Sequence, residues 1–298
     1  MSTRTVLITG AAGGVGSAAV RRLTELGWEV YAGVRRPSDA GRVPGGAHPL
    51  VVDLIDEETV DAAAKEIAAR TGGRLDALVN NAGVIVEGPV ELVPLEDWRR
   101  QFDVNVVGQI AMTQAVLPML RAAKGRIVNI GAVSSRMSGP AFGPIAASKA
   151  ALASVTEALR VEMRPLGVEV CVIEPGLLDT DIFGKSGASR RVTGWRGDAD
   201  AQRLYEGVST KMGEFNARAK PGPVDSAVKT IVRALTERRP KSRYLVGRDA
   251  RMMAALAKLP DRARDRLLLR AVGIDAATYG GQACERPGTA DVPGRFTR

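Results

Sequence analysis

A glycine-rich loop after the first strand-like run constrains the fold of this chain more than any other feature. Thr5 to Ile8 form a short apolar run, which leads into Thr9-Gly10-Ala11-Ala12-Gly13-Gly14-Val15-Gly16 and a helical pattern that Gly27 ends. A loop of this kind between a strand and a helix is typical of dinucleotide binding, because backbone N–H groups at the helix start can hold a pyrophosphate. The alternative interpretation is a tight turn without a ligand.

Strand-like and helix-like segments alternate through the first 180 residues. Further strand-like runs lie at 29–34, 50–52, 77–79, 127–130 and 168–173. Residues 56–70 between them have helical spacing. Such alternation predicts βαβ units and a parallel sheet that is covered on both faces. The sequence therefore predicts an α/β fold, a Rossmann-type doubly wound parallel sheet in a single domain, with functional loops at the carboxyl ends of its strands.

The pattern changes after Pro175. Residues 183–222 are rich in Gly, Arg, Ser and Ala and enclose one helix-like stretch from Ala199 to Phe215, which predicts a helical lid. A helix at 223–236 and a last strand at 244–246 follow, and two short helices flank Pro260. We assign residues 1–250 to a dinucleotide-binding and catalytic domain. Residues 251–298 are then a C-terminal helical extension that ends in a mobile tail.

Charge is distributed unevenly along the 298 residues. The net charge is +9, but residues 1–184 carry 18 basic and 21 acidic side chains, whereas residues 185–298 carry 24 and 12. Few aromatic residues lie among the basic ones and no nucleic-acid motif is present, so we expect no nucleic-acid partner. The basic region then serves as a solvated surface or faces an anionic ligand.

Other function classes are excluded by residue types that the chain lacks. Two cysteines and one histidine cannot build a disulfide framework or a zinc site from those ligand types, so we expect no metal. No apolar run reaches the roughly 18 residues of a membrane-spanning helix. The first strand begins too early to leave room for a signal peptide, and the expected location is cytoplasmic.

The end of the second strand bears on which dinucleotide is bound. Val34-Arg35-Arg36 stands there, and the next carboxylate along the chain is Asp39. A carboxylate at this place favours NAD, whereas a nearby Arg accommodates the 2′-phosphate of NADP. Arg35 and Arg36 therefore predict NADP as the favoured cofactor. The alternative is that they are two arginines of a solvated loop.

Four more motifs follow the glycine loop in a fixed order. They are Asn80-Asn81-Ala82-Gly83, Asn105-Val106-Val107-Gly108, Ala147-Ser148-Lys149-Ala150 and Pro175-Gly176-Leu177-Leu178-Asp179-Thr180. Together with the loop they resemble the short-chain dehydrogenase/reductase family over about residues 3–182, and more weakly to 250. Within that family the chain is most similar to the retinol and 17β-hydroxysteroid dehydrogenase-like branch, because of Val34-Arg35-Arg36-Pro37, the long lid and Arg243-Tyr244-Leu245-Val246-Gly247.

The resemblance implies a set of cofactor contacts. Asp53 and Leu54 would contact the adenine ring, the segment 81–83 a ribose, and Lys149 the nicotinamide ribose, while the segment 175–180 would contact the nicotinamide. The expected cofactor-binding residues are therefore Gly10, Gly14, Val15, Gly16, Arg35, Arg36, Asp53, Leu54, Asn81, Ala82, Gly83, Lys149, Pro175, Gly176 and Thr180. Two of these assignments have structural alternatives, because the Asn-Asn-Ala-Gly segment can tie strands together and Thr180 can cap a helix.

The chain departs from the family at the catalytic positions. The resemblance implies a Tyr four residues before the active-site Lys and a Ser about 12 or 13 residues before that Tyr; these positions are Ile145 and Ala132 here. Neither side chain can donate or accept a proton, and acid–base assistance of this kind contributes about 10²–10⁴ in rate. Asn105 and Lys149 remain. The candidates for a relocated acid are Tyr205 in the lid, Ser134, Ser135 and a water held by Lys149 and Asn105.

Three functions are consistent with these residues. The first is an NADP-dependent oxidoreductase that acts on a lipophilic carbonyl, alcohol or enone with a non-standard proton donor. The second is a non-redox enzyme on the same fold, a cyclase, dehydratase or isomerase. The third is a catalytically inactive NADP-binding sensor or partner. Apolar lid residues either line a pocket for a lipophilic substrate or fill the core under the lid; they are Leu177, Leu178, Ile182, Phe183, Trp195, Leu204, Tyr205, Val208, Met212 and Phe215.

The helices indicate two kinds of partner, a membrane surface and further copies of the chain. The basic C-terminal helices carry an apolar set that could lie on an anionic membrane surface or pack on the body, namely Met252, Met253, Leu256, Leu259, Leu267, Leu268 and Leu269. The family resemblance implies a homodimer or homotetramer. Its interface would use two helices, at about Trp98–Leu120 and Ala147–Arg164.

Overall fold

A computed structural model describes residues 3–180, 196–197 and 199–279. Seven strands form one sheet in which every neighbouring pair is parallel, in the order β3-β2-β1-β4-β5-β6-β7. The strands are β1 (Thr5–Thr9), β2 (Glu29–Val34), β3 (His48–Val51), β4 (Ala77–Asn80), β5 (Arg126–Ile130), β6 (Glu169–Pro175) and β7 (Arg243–Val246). The predicted Rossmann-type sheet is confirmed.

Helices connect the strands and cover both faces of the sheet. They are α1 (Gly14–Glu25), α2 (Glu57–Thr71), α3 (Leu95–Phe102), α4 (Gly108–Ala123), α5 (Gly143–Met163), α6 (Ala199–Leu204), α7 (Glu206–Arg218), α8 (Val224–Thr236), α9 (Arg248–Leu256) and α10 (Asp261–Val272). A π-helical turn, Asp103–Val107, joins α3 to α4, and a short 3-10 turn, Val133–Ser135, follows β5.

Side chains of each strand alternate between two buried layers. Val6 and Ile8 belong to a cluster that contains α1 and α8, whereas Leu7 between them belongs to a second cluster that contains α2 and α4. Because both faces of a parallel sheet are buried, its strands are continuous apolar runs. This accounts for the clear strand signal in the sequence.

The predicted lid helix is two helices in the structure. The break lies at Tyr205, between α6 and α7. Lid residues 183–195 and 198, together with Ile182, lie outside the described residues. Val208 and Met212 of α7 are buried against Val272 and Ile274 of the C-terminal extension. These two side chains therefore fill the core under the lid, which is the alternative that the sequence left open.

The C-terminal extension begins with α9, which starts at Arg248 and so spans the expected boundary at residue 250. Ala250 and Ala254 of this helix are buried with Val133, beside the 3-10 turn after β5. Four of the apolar residues considered for membrane contact are exposed, namely Met252, Leu259, Leu267 and Leu269. None of the helices in the described part of the chain is long and apolar enough to cross a membrane.

Candidate functional site

The order of the strands places a crevice beside β1. Its neighbours are β2 and β4, so the connections after β1 and β4 leave the sheet on opposite sides. In open α/β sheets such a switch point forms a binding crevice at the carboxyl ends of the strands. The expected cofactor residues follow the ends of β1 to β4 and β6, and α5 contributes Lys149. The fold therefore brings them to one edge.

The glycine loop is packed closely against β4. Gly10 has φ of 67°, and a Cβ atom at this position would lie 2.8 Å from the Cα of Ala82. A Cβ on Gly16 would overlap the carbonyl oxygen of Gly10. The N-cap residue of α1 is Gly13, which has no side chain to cap the helix, and no acidic residue lies in the first turn. Its positive N-terminus is therefore available to an anion, as a pyrophosphate requires.

Thr180 closes this crevice from the side of β6. A Cβ on Gly14 would lie 3.0 Å from the Cγ2 of Thr180, so the loop after β6 reaches the glycine loop. The alternative role of Thr180 as a helix cap concerns residues 181 onward, which the structure does not describe. Val15 at the start of α1 packs partly buried against the core.

Arg35 and Arg36 lie at the far end of the crevice, after β2. Both are exposed, and within the described residues neither forms an ion pair. Asp39, the nearest carboxylate along the chain, pairs instead with Arg42 at 3.4 Å. The two guanidinium groups therefore remain available for an anionic ligand such as a 2′-phosphate.

Asp53 and Leu54 follow β3. The Asp53 carboxylate accepts a hydrogen bond from the backbone N–H of Ile55 at 3.3 Å, and its own backbone N–H donates to Thr59 Oγ1 at 3.0 Å. Leu54 is buried against the start of α4, where a Cβ on Gly108 would overlap its carbonyl oxygen. Asp53 thus sits on a loop that is fixed at both sides.

The Asn-Asn-Ala-Gly segment does tie β4 to β1. The backbone N–H groups of Asn81 and Ala82 both donate to Thr9 Oγ1 at 3.0 Å, and Asn81 Nδ2 donates to the Thr9 carbonyl at 2.9 Å. Gly83 then approaches the catalytic candidates, since a Cβ there would lie 3.2 Å from Asn105 Oδ1 and 3.9 Å from Lys149 Nζ. The structural role of this segment is therefore present whether or not it also contacts a ribose.

Lys149 carries a buried ammonium group and lies in α5, the helix that also contains Ile145. It is 8% exposed, and its Nζ donates to the carbonyl oxygen of Ile130 at 2.7 Å. Ile145, one turn earlier in α5, is buried, and Ala132 follows the strand that ends at Ile130. Burial lowers the pKa of Lys149 to about 8, because a low-dielectric surrounding disfavours the charged amine.

The side chain of Asn105 is fully used by the protein. Its Oδ1 accepts from the Val84 N–H and its Nδ2 donates to the Val84 carbonyl, both at 2.9 Å. Gln101, one turn earlier, holds the same loop by donating to the Val84 carbonyl and accepting from the Val86 N–H. Gln101 was not predicted from the sequence. The sequence signal that could have identified it is a polar residue four positions before Asn105, on the buried side of a helix.

Three hydroxyl groups were expected as relocated acids, and two of them have carboxylate partners. Ser135 Oγ donates to Glu174 at 3.0 Å. The hydroxyl of Tyr205 donates to Glu91 at 2.9 Å, and burial together with that partner raises its pKa to about 12. Ser134 lines a cleft of about 350 Å³ beside α5, which Ala147 and Ala150 also border.

Glu174 is a second buried group that sequence reasoning missed. It is fully buried at the end of β6, and its carboxylate accepts from Arg136 at 2.6 Å and from Arg243 at 2.7 Å as well as from Ser135. Arg136 directly follows the 3-10 turn after β5. The ion pairs therefore fix the loop that carries Ala132 to the neighbouring strand. Within the described residues no cluster of His, Cys, Asp or Glu could hold a metal ion.

Comparisons with known proteins agree with this geometry. A profile of the short chain dehydrogenase family matches residues 4–191. The NADPH-dependent 3-dehydrocapnine reductase of Ornithobacterium rhinotracheale is 33% identical over 90% of this chain and 96% of its own length. Retinol dehydrogenase 5 of Mus musculus is 32% identical over 88% of this chain and 87% of its own.

A solved structure gives the same result for the fold. The crystal structure of a short chain dehydrogenase from Burkholderia cenocepacia in complex with NADP matches with a TM-score of 0.71 at 27% identity, and covers 90% of this chain and 98% of that one. The profile match, the full-length relatives and the parallel sheet with its glycine loop lead to one conclusion. The chain belongs to the short-chain dehydrogenase family and is an oxidoreductase of that type.

Proposed function

We propose that this protein is an NADPH-dependent reductase of a lipophilic carbonyl or enone compound, in which Lys149 takes over the proton donation that a tyrosine provides elsewhere in the family. One observation carries the proposal. A buried lysine ammonium lies at the same sheet edge as the uncapped N-terminus of α1 and as Arg35 and Arg36, which form no ion pair with any described residue.

The residues present fit NADP. Gly10, Gly14 and Gly16 let the loop pack closely against Ala82 and Thr180, and no side chain caps the N-terminus of α1, so nothing there competes with a pyrophosphate for its N–H groups. Arg35 and Arg36 supply positive charge for the 2′-phosphate that distinguishes NADP from NAD. A relative described as NADPH-dependent and a structure solved in complex with NADP support the same choice.

The chemistry that bound NADPH supplies is transfer of a hydride to the substrate carbon. Lys149 provides the matching proton: the electron pair of the C=O bond moves onto the oxygen, the ammonium gives this oxygen a proton, and the resulting neutral amine is reprotonated from solvent. A pKa of about 8 suits this role, because the group is mostly protonated at neutral pH and yet gives up its proton readily. Asn105 and Gln101 hold the neighbouring 84–86 loop in place.

The substrate is lipophilic in this proposal. Ile145 and Ala132 replace two hydroxyl-bearing side chains with apolar ones, so the floor of the site presents no polar group at either position. Leu177, partly buried after β6, is a further apolar residue at the carboxyl end of the sheet. An enone fits such a site, because hydride addition to a conjugated alkene gives a delocalised enolate that depends less on a strong acid.

A homo-oligomer is also part of the proposal. Val107, beside α4, and Val161 in α5 are exposed apolar side chains on the two helices that the family resemblance assigns to the interface. Burial of both in a subunit contact would remove them from water.

The experiment first compares NADPH with NADH as ligands and then tests ketones and enones as substrates. NADPH should raise the melting temperature of the protein more than NADH does, and Arg35→Ala with Arg36→Ala should remove this difference. As a matched control, Arg238→Ala and Arg239→Ala delete an equally exposed arginine pair after α8. Lipophilic ketones and enones are then offered with NADPH while cofactor absorbance and product mass are followed. Product that forms without the cofactor would contradict the proposal and favour a non-redox reaction.

A further inference from the structure

The loop that ends in the proposed nicotinamide contacts is held from the neighbouring strand. Gly176 follows β6, and its backbone N–H donates to the carbonyl of Val246 at 3.0 Å, at the end of β7. The next backbone N–H, that of Leu177, donates to Asp249 Oδ2 at 2.7 Å. Asp249 lies in the first turn of α9, so a side chain of the C-terminal extension reaches into the loop after β6.

Two glycines leave the space that this carboxylate occupies. A Cβ atom on Gly176 would overlap the Asp249 carboxylate, and so would a Cβ on Gly247. Gly247 also has φ of 103°, a conformation that other residues rarely adopt. The carboxylate is therefore enclosed between the ends of β6 and β7, and neither strand end can carry a side chain there while Asp249 remains in place.

The position of α9 makes this contact rigid. Ala250, the residue after Asp249, is fully buried with Val133 of the 3-10 turn after β5. Asp249 also lies at the positive end of the helix, where a carboxylate is stabilised. One helix thus fixes two loops of the site, the loop after β5 by packing and the loop after β6 by a charge-assisted hydrogen bond.

We propose that Asp249 is a positioning residue for the nicotinamide half of the cofactor, acting through the backbone N–H of Leu177 and the close approach of Gly176. This inference rests on the proposed function, because it assigns the loop after β6 to the nicotinamide. It goes beyond that function by giving the C-terminal extension a role in the cofactor site. Asp249 itself need not touch the cofactor, because its hydrogen bond ends on the loop backbone.

The test separates the two halves of the cofactor by using two ligands. NADPH spans the whole crevice, whereas 2′,5′-ADP lacks the nicotinamide half. In Asp249→Ala the dissociation constant for NADPH should rise about tenfold, the factor expected for loss of a hydrogen bond to a charged group. The dissociation constant for 2′,5′-ADP should stay within twofold of wild type. Asp249→Asn keeps an oxygen acceptor for the Leu177 N–H and should retain most of the NADPH affinity.

A glycine variant tests the same contact from the other side. Gly176→Ala places a Cβ where the carboxylate lies, so it should weaken NADPH binding in the wild-type background. In the Asp249→Ala background, the same substitution should raise the dissociation constant for NADPH no more than twofold further. Asp261→Ala removes a carboxylate from the exposed start of α10 and serves as the matched control. Circular dichroism and melting temperature establish that each variant is folded.

Several results would overturn the inference. A folded Asp249→Ala that binds NADPH within twofold of wild type would do so. An equal loss of affinity for NADPH and for 2′,5′-ADP would also do so, since Asp249 would then contribute to general stability and not to the nicotinamide half of the site. If Asp249→Ala does not fold, unchanged NADPH affinity in Gly176→Ala overturns it. A wild-type protein that binds neither ligand contradicts the proposed function itself, and this inference falls with it.

Discussion

Lys149 donates its hydrogen bond to the carbonyl oxygen of Ile130 at 2.7 Å, and this places the ammonium group at the end of the strand that leads to Ala132. Ile145 lies one helical turn before Lys149 and is also buried. Ile145 and Ala132, at which the family resemblance predicts a Tyr and a Ser, are therefore apolar, and Lys149 remains as a buried cation.

The first prediction concerns the pH dependence of reduction. If Lys149 supplies the proton, only its ammonium form is active, so kcat/KM for reduction should be constant below pH 8 and fall as pH rises through the pKa of about 8. The direction follows from burial, which lowers this pKa and brings the loss of the proton into the accessible range. A pH profile of kcat/KM measures it.

Lys149→Arg is the matched variant for this profile. The guanidinium stays protonated throughout, so the fall above pH 8 should vanish even where the rate itself drops. A profile that keeps its fall near pH 8 in Lys149→Arg would assign the ionisation to another group. Lys65→Arg, on the exposed side of α2, serves as the surface control.

The second prediction concerns a variant that introduces hydroxyl groups at positions 145 and 132. Ile145→Tyr combined with Ala132→Ser should raise the rate of simple carbonyl reduction by about 10²-fold, within the range that general acid catalysis contributes. Lys149 is already in place to stabilise a phenolate. Ile145→Phe with Ala132→Ser has nearly the same volume without the phenol and should show no such gain. A double variant that is no faster than its Phe control would mean that another step limits the reaction.

The third prediction concerns a variant that lacks the hydroxyl of Tyr205 in the lid. Tyr205→Phe should leave turnover within twofold of wild type, because the Tyr205 hydroxyl already donates to the Glu91 carboxylate and its raised pKa of about 12 makes it a weak acid. The stability change should be below about 1 kcal/mol, as expected for one hydrogen bond. A loss of turnover above tenfold, with the melting temperature preserved, would make Tyr205 the donor after all.

Much of this fold was predictable from the sequence for a simple physical reason. Residues Glu29 to Val34 form β2 with the predicted bounds, because a strand buried on both faces needs an unbroken apolar run. Gly10 could be assigned a tight turn from its place after β1, and its φ of 67° agrees. Local patterns of this kind are determined by residues that are close in sequence.

Contacts between distant residues could not be predicted in this way. Asp249 and Leu177 are 72 positions apart, and nothing in either local sequence shows that they meet. The motif of Asn105 likewise gave no indication that both ends of its amide bind the backbone of Val84, and its catalytic role stays a prediction. A motif identifies where a residue lies, but the partners of its side chain depend on tertiary packing. The helix break at Tyr205 was also missed, because the one glycine next to it, Gly207, lies inside the second helix and does not separate the two helical stretches.

The fourth prediction concerns the buried carboxylate of Glu174. Glu174→Gln removes the negative charge that faces Arg136 and Arg243, and the free energy of unfolding should fall by about 2 kcal/mol, less than for a fully buried pair because both guanidinium groups are partly exposed. Urea titration measures this change. Glu157→Gln is the matched control, since Glu157 binds the same Arg243 at 2.6 Å from an exposed position and should cost less than about 1 kcal/mol. Equal losses in the two variants would show that burial does not set the strength of this ion pair.

Because Glu174 fixes the loop that carries Ala132, Glu174→Gln should also lower kcat, whereas Glu157→Gln should not.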